Sequence, residues 1–133
     1  MEKQFTYRGK TLQDIKKMDL QEFMKIVPAR QRRSLQRSIA KQYKQLMGKI
    51  QKTKEGVYKK PIKTHARDMI VVPDMLDLTI HIHNGKTFEP IKITEEMLGH
   101  YLGEFAMTRV RVTHSAPGIG ATKSSTAVAS KAK

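Results

Sequence analysis

At positions 78 to 85 the sequence reads Leu78-Thr79-Ile80-His81-Ile82-His83-Asn84-Gly85. Apolar side chains alternate here with polar ones, which is the pattern of a β-strand with one buried face. The Asn-Gly pair that follows predicts a type I′ hairpin turn, in which both central residues have positive φ. We therefore expect an antiparallel return strand over about residues 87–93, and Pro90 makes it an edge strand or gives it a bulge.

Shorter patterns on both sides of this hairpin predict the rest of an α+β core. The apolar run at residues 69–72 predicts a strand that Pro73 ends. Thr94 is a good N-cap for a short helix that Gly103 ends. Alternation over residues 109–114 is compatible with a final strand.

The first 56 residues favour helices. Thr11 with Asp14, and Asp19 with Glu22, resemble helix starts, and the second pair fits a capping box. From Pro28 to Gly56, apolar residues at spacings of three and four predict one basic amphipathic helix. Its apolar face consists of Leu35, Ile39, Tyr43, Leu46 or Met47, and Ile50.

These patterns divide the chain into four parts. Residues 1–27 form an N-terminal helical extension, residues 28–56 the basic helix, and residues 57–114 the α+β core. Residues 115–133 contain too little apolar mass to pack, so we expect a basic tail that is disordered until it binds a partner.

Positive charge dominates the composition, with 26 Lys and Arg against 12 Asp and Glu and a net charge of +14. Residues 25–67 contain 14 basic groups and a single acid, Glu55. Like charges one helical turn apart, such as Arg33 and Arg37, repel by roughly a few tenths of a kcal/mol unless an anion neutralises them. The distribution predicts a polyanionic ligand, with nucleic acid first and an acidic membrane surface second.

What the chain lacks excludes several classes of protein. The absence of cysteine excludes disulfide scaffolds, thiolate zinc sites and cysteine nucleophiles. No apolar run approaches the roughly 20 residues of a membrane span, and the N-terminus lacks the apolar core of a signal peptide, so we expect a soluble, cytoplasmic protein. Because nucleic acid is the leading candidate ligand, we expect no membrane partner. Aromatic residues are few and Trp is absent, which argues against a stacking platform for bases and favours double-stranded or folded RNA.

Two motifs resemble parts of a metal site and of a nucleotide-binding loop, but each lacks a required residue. His81 and His83 lie on one side of their strand and could share a metal ion, but no third ligand is evident. Thr122, where a Walker A loop has glycine, precedes Lys123, so the glycine-containing tail does not predict a nucleotide site and we expect no cofactor.

A longer pattern carries a resemblance to a known family. It reads Asn84-Gly85-Lys86, six residues, Ile93, four residues, Leu98-Gly99, two residues, Leu102-Gly103-Glu104-Phe105, two residues, Thr108. This pattern resembles the signature of the small-subunit ribosomal protein nineteen family. The similarity covers about residues 25–126, and the segments at 28–35 and 116–122 resemble the archaeal and eukaryotic branch.

The resemblance implies a small α+β fold with a three-stranded sheet, mixed or antiparallel, and short helices. It also implies a non-catalytic protein of the small-subunit head that binds 16S-type ribosomal RNA beside ribosomal protein thirteen. The tail would approach the decoding region, aminoacyl-site transfer RNA and bridge elements of the large subunit. The RNA contacts implied by the shared motifs are Lys63, Thr64, Arg67, Asn84, Gly85, Lys86, His100, Thr108 and Arg109.

Charge adds further candidate RNA contacts to these. Glu104 is the acid that we do not assign to RNA, and we expect it to pair with a neighbouring arginine or lysine. Two explanations for Gly99 and Gly103 remain: they permit close packing of the helix on the sheet, or they contact RNA directly. The additional cationic candidates are Arg30, Arg32, Arg33, Arg37, Lys41, Arg111 and Lys123.

Three functions remain as alternatives. The first is a structural ribosomal protein that binds ribosomal RNA. The second is a free nucleoid-type or general nucleic-acid-binding protein, which would bind duplex DNA and folded RNA alike. The third is an enzyme with a metal ion at His81 and His83, which would contain stoichiometric metal when purified.

Overall fold

The computed structural model describes residues 4–37, 41–113 and 123, and within them the chain begins with a small β-ribbon that leads into helices. Strands β1 (Thr6–Tyr7) and β2 (Lys10–Thr11) pair antiparallel. The helices that follow are α1 (Leu12–Lys17), α2 (Leu20–Ile26), α3 (Ala29–Arg37) and α4 (Lys41–Lys54).

The capping box lies at the start of α1 and not, as predicted, at the start of α2. The Thr11 hydroxyl accepts a hydrogen bond from the Asp14 N–H, and the Asp14 carboxylate accepts one from the Thr11 N–H. The pKa of Asp14 is lowered, mainly because Thr11 donates hydrogen bonds to its carboxylate. At α2 the Asp19 carboxylate instead accepts from the adjacent N–H, that of Leu20.

The basic segment is helical in both of its described parts, α3 and α4. Residues 38–40, on which the prediction of one continuous helix depends, lie outside the described residues. Gly56 ends α4 as predicted, because it adopts a φ of +76° that favours glycine. The N–H of Gly56 donates to the Thr53 carbonyl and that of Val57 donates to the Lys52 carbonyl, which closes the helix end.

A three-stranded mixed sheet forms the second half of the fold and confirms the predicted class. Its strands β3 (Ile62–Thr64), β4 (Thr79–His83) and β5 (Phe88–Lys92) lie in the order β3-β4-β5. Strands β3 and β4 are parallel, and β4 and β5 are antiparallel. The prediction of a strand at residues 69–72 is therefore wrong, since the third strand comes from a segment that is mostly polar.

Burial explains the apolar run at residues 69–72. Its side chains are all less than 5% exposed, so the run is apolar because the segment is buried and not because it is a strand of the sheet. Its backbone bonds to a later segment: the Val71 N–H donates to the His100 carbonyl, and the Leu102 N–H donates to the Met69 carbonyl. A single bridge, between Ile70 and Tyr101, results.

The β4–β5 hairpin is confirmed, but its turn is not type I′. The register runs without a bulge from Thr79 opposite Lys92 to His83 opposite Phe88, with β5 as an edge strand. Gly85 has a φ of +102°, whereas Asn84 is not among the described residues with positive φ. The Asn84 side-chain oxygen instead accepts from the N–H groups of Lys86 and Thr87, which organises a four-residue loop.

Two short turns replace the helix that was predicted from Thr94 to Gly103. They are 3₁₀ turns at Glu95–Met97 and Leu102–Glu104, and Gly99 between them has a φ of +77°, which interrupts a right-handed helix. Within the described residues the Thr94 side chain makes no capping bond. A further 3₁₀ turn, Pro73–Met75, follows the buried run.

The final strand that the alternation predicted is not formed. Residues 109–113 make no strand, and His114 lies outside the described residues. Val110 is 88% exposed and Val112 is 68% exposed, so this segment has no buried face to hold it against the sheet.

One hydrophobic core joins the N-terminal helices to the sheet. Ile15 of α1 and Phe23 of α2 are fully buried in the same cluster as Ile80 and Ile82 of β4. An ion pair also links the two halves, with the Lys16 ammonium 2.7 Å from the Asp77 carboxylate. The pKa of Asp77 is lowered, mainly because the Lys16 ammonium donates a hydrogen bond to its carboxylate.

Arg67 braces the C-terminal part of the core. Its guanidinium donates to three backbone carbonyls, those of His83 at 2.7 Å, Gly103 at 2.7 Å and Ala106 at 2.6 Å. His83 ends β4, so these bonds hold the hairpin loop and the segment that begins at Met107 at the same end of the molecule. Gly103 packs directly on Arg67, since a Cβ at 103 would lie 2.9 Å from the Arg67 Cβ.

We expect Gly103→Ala to lower the free energy of unfolding by about 1–3 kcal/mol, because the added methyl overpacks against Arg67. Gly48→Ala is the matched control: it lies within α4, and a Cβ there meets nothing within 4 Å. Replacing that helical glycine should raise the free energy of unfolding by about 0.5–1 kcal/mol. Urea unfolding measures both, and equal effects of the two variants would contradict this packing.

We expect Arg67→Met to lower the free energy of unfolding by roughly 2–4 kcal/mol, because three carbonyls lose a charged donor. Arg67→Lys should recover only part of this, since one ammonium cannot reproduce the fork of the guanidinium. Arg111→Met, at an exposed position, is the control. If urea unfolding gave Arg67→Met the same stability as Arg111→Met, the brace would have no energetic role.

Candidate nucleic-acid interface

Helix α3 carries a free cationic surface. Arg30, Arg33 and Arg37 are exposed, and its first turn contains no acidic residue. Within the described part of the chain, none of these three guanidinium groups has an ion-pair or hydrogen-bond partner. Three positive charges on one short helix therefore face solvent without neutralisation, which favours an anionic ligand.

Arg32, on the same helix, has a different role. Its Nε donates to the Met24 carbonyl at 3.0 Å, and its Nη2 donates to the carbonyls of Lys25 and Val27 at 3.1 and 3.2 Å. These carbonyls lie at the end of α2, where a helix has no internal donors for them. Arg32 thus caps α2, and its guanidinium is already engaged within the protein.

A second cationic region is a cleft of about 350 Å³ between α4 and β3. Gln45 and Lys49 line it from α4, and Lys63 and His65 line it from β3 and the residue after. Every charged side chain in this lining is a lysine. Lys41 begins α4, but its side chain lies outside the described residues.

Three aromatic rings meet beside this cleft, over the end of β4. The ring centroids of His65 and His83 are 4.4 Å apart, and Phe88 lies edge-on to both, at 5.1 Å and 4.8 Å respectively. The Lys63 ammonium lies 5.3 Å from the centroid of the Phe88 ring. His83 is oriented by its Nδ1, which accepts a hydrogen bond from the Gly85 N–H at 3.1 Å.

The predicted contacts near the hairpin divide into exposed and engaged groups. Lys63, Gly85 and Lys86 are exposed, and Asn84 is half-buried because its side chain organises the loop. Thr64 is only 8% exposed, and its hydroxyl accepts from the Ala66 N–H. Thr64, like Arg67, therefore has its polar side chain committed inside the fold.

Glu104 pairs with His100 and not with the arginine or lysine that we expected. Its carboxylate lies 2.8 Å from the His100 Nδ1 and also accepts from the Tyr101 N–H. Both side chains are about half exposed, so the pair lies at the surface. The sequence did not indicate this partner, although the spacing of four residues brings the two together across one 3₁₀ turn.

The last described segment presents further cations. Thr108, Arg109 and Arg111 are exposed and follow the Arg67 brace. Lys123 is also exposed, while the other residues of the predicted tail lie outside the described residues.

Sequence reasoning missed the ring cluster and the contribution of Lys49 to the cleft. The signal for the cluster was present in the parity of the strands: His83 and Phe88 occupy paired positions and therefore share a face of the sheet. Our prediction of the return strand did not use this pairing. That Lys49 faces the cleft could not be known before α4 was placed against β3.

The described residues favour neither a metal centre nor a membrane span. They contain no group of three or more histidine, aspartate and glutamate side chains arranged to hold a metal ion. None of their helices combines the length and apolar character needed to span a bilayer.

Both glycines pack closely against other segments of the chain. A Cβ at position 99 would lie 2.5 Å from the Tyr7 hydroxyl oxygen, and a Cβ at 103 would meet Arg67. Both glycines therefore permit close contact between segments of this chain.

A comparison with protein families identifies the chain. The family model described as Ribosomal protein S19 matches residues 33–114, which is more than half of the sequence. The match includes the second half of α3, α4, the three-stranded sheet, the ring cluster and Arg67. This chain belongs to the ribosomal protein S19 family, and it is a small-subunit ribosomal protein that binds ribosomal RNA.

Proposed function

We propose that this protein is a structural constituent of the head of the small ribosomal subunit, where α3, the cleft beside α4 and the hairpin loop contact 16S-type ribosomal RNA. Its role is to fix RNA segments relative to one another and not to catalyse a reaction. The observation that carries the proposal is the unneutralised cationic surface of α3, formed by Arg30, Arg33 and Arg37.

Electrostatics explains why this surface needs RNA. Like charges on one helix repel each other, and phosphates remove that repulsion while releasing condensed counterions. The cleft and Lys86 continue the same sign of charge toward the hairpin. RNA binding should therefore strengthen the fold and depend steeply on salt.

Arg67 and Thr64 take part indirectly in this proposal. Their polar groups are bound within the protein. Through the His83 and Ala106 carbonyls Arg67 positions the loop at Asn84–Lys86 and the segment at Thr108–Arg111, and Thr64 organises the turn after β3. Arg32 likewise fixes α3 at an angle to α2 while Arg30 and Arg33 face outward.

We further propose that ribosomal protein thirteen of the small subunit is the neighbouring protein, and that the tail lies near the decoding site and aminoacyl-site transfer RNA. Exposed Met107, Val110 and Val112 support a protein contact at the start of this region, because apolar side chains at such density favour a covered surface. The same region would approach bridge elements of the large subunit.

The alternative of a free nucleoid-type protein rests on charge alone. Family membership favours the ribosomal role, and a selectivity measurement separates the two. A ribosomal protein should keep its preference for a head ribosomal RNA fragment over duplex DNA when salt is raised, whereas a nucleoid-type protein should lose affinity for both equally.

We expect the triple variant Arg30→Gln, Arg33→Gln, Arg37→Gln to weaken binding to a head ribosomal RNA fragment and to flatten its salt dependence. Each lost phosphate contact should reduce the slope of log K against log salt by about 0.9, hence by nearly 3 in total. Arg32 is left intact because it caps α2. Binding measured over a salt series gives the slope directly.

The matched control removes the same charge elsewhere, through Arg8→Gln, Lys10→Gln, Lys17→Gln. These side chains are exposed on the N-terminal segment, which belongs neither to α3 nor to the cleft lining or the hairpin loop. The control should change the slope much less than the α3 variant does. Equal slopes for both triple variants would show that net charge and not the α3 surface determines binding.

A further inference from the structure

The cleft between α4 and β3 combines two chemistries at one place. Lys49 and Lys63 supply cations at its lining, and His65 lines it with an exposed imidazole ring. Two lysines suit a phosphate group, and an exposed ring suits the face of a base. Lys63 lies in β3 and His65 follows its end, and both side chains line this cleft.

The imidazole ring of His65 is held in place by its neighbours. It contacts His83 and Phe88 on the outer face of the sheet, and a hydrogen bond from the Gly85 N–H orients His83. His83 and Phe88 are half-buried, whereas His65 is exposed. The outermost ring is thus supported from behind and leaves its own surface to a partner, which lowers the entropy lost on stacking.

We propose that this cleft binds one unpaired nucleotide of RNA, with its phosphate between Lys49 and Lys63 and its base stacked on His65. The inference rests on the proposed function, which supplies the RNA, and adds a ligand subsite to it. An unpaired nucleotide is required because a base within an A-form helix does not present its face to a protein side chain.

The size and charge of the cleft support this occupant. Its volume of about 350 Å³ lies near the lower end of the range for pockets that hold a small molecule, and a duplex cannot enter it. The charged side chains of its lining are lysines, which complement a phosphate and disfavour a metal cation. Thr64 and Ala66, which also line the cleft, are buried, so this part of its wall is fixed by the fold.

The test compares two RNA stems from a head ribosomal RNA fragment, one fully paired and one with a single bulged 2-aminopurine nucleotide. The full-length protein should bind the bulged stem more tightly and quench the 2-aminopurine fluorescence. His65→Ala should lower affinity for the bulged stem by roughly 5- to 150-fold, the range for loss of one stacked base, and leave the paired stem unchanged.

Two further variants separate stacking from other effects. His65→Phe retains a ring and should keep most of the preference for the bulged stem. His81→Ala is the matched control, because His81 lies on the same outer face but outside the ring cluster, and it should change neither affinity. If His65→Ala bound both stems like the His81→Ala variant, or if the fluorescence stayed unquenched, the stacking subsite would be refuted.

Two additional measurements show whether the nucleotide comes from RNA and distinguish failure of the nucleotide subsite from failure of the proposed ribosomal function. Free adenosine monophosphate should fail to displace the bulged stem at concentrations where the stem saturates the protein, and efficient displacement would overturn an RNA ligand in favour of a free nucleotide. Loss of selectivity for head RNA over duplex DNA in the unmodified protein would count against the proposed function alone. The bulge comparison would still decide the subsite.

Discussion

The described fold depends on the way Arg67 satisfies three backbone carbonyls that no strand or helix partners. One planar guanidinium reaches the end of β4, the 3₁₀ turn at Leu102–Glu104 and Ala106. No neutral side chain offers so many donors in one plane. This single residue therefore links three separate segments by hydrogen bonds in addition to their hydrophobic burial, and Gly103 allows the close approach that the bonds require.

Arginines in this protein divide into those that build the fold and those that face outward. Arg32 and Arg67 bind carbonyls within the chain, whereas Arg30, Arg33 and Arg37 have no such partner among the described residues. The first group places the second, since α3 is fixed to α2 through Arg32. The net charge of +14 thus overstates the charge that is available to a ligand, because some of the arginines bind carbonyls within the protein.

Sequence patterns correctly predicted several features that depend on residues close together in the chain. The hairpin, the end of α4 at Gly56 and the cationic block were evident from the sequence because each depends on neighbouring residues. Strand β3 was missed because three residues are too few to show a period, and the run at 69–72 was misassigned because burial does not specify pairing. The carbonyl partners of Arg67 lie on distant segments, which no spacing reveals. The turn at Asn84 and the Glu104–His100 pair are local, but the same residues are compatible with more than one turn type or partner, so the pattern alone did not select them.

The central claim is that Arg67 serves the fold while the α3 arginines serve the RNA, and NMR of the arginine side-chain N–H groups tests it most directly. Spectra of the free protein should show slowly exchanging Arg67 N–H groups, and adding a head ribosomal RNA fragment should leave their shifts nearly unchanged. Signals of Arg30, Arg33 and Arg37 should exchange rapidly when free and shift on binding. Rapid exchange of Arg67 in the free protein, or an RNA-induced shift as large as that of Arg33, would contradict the account.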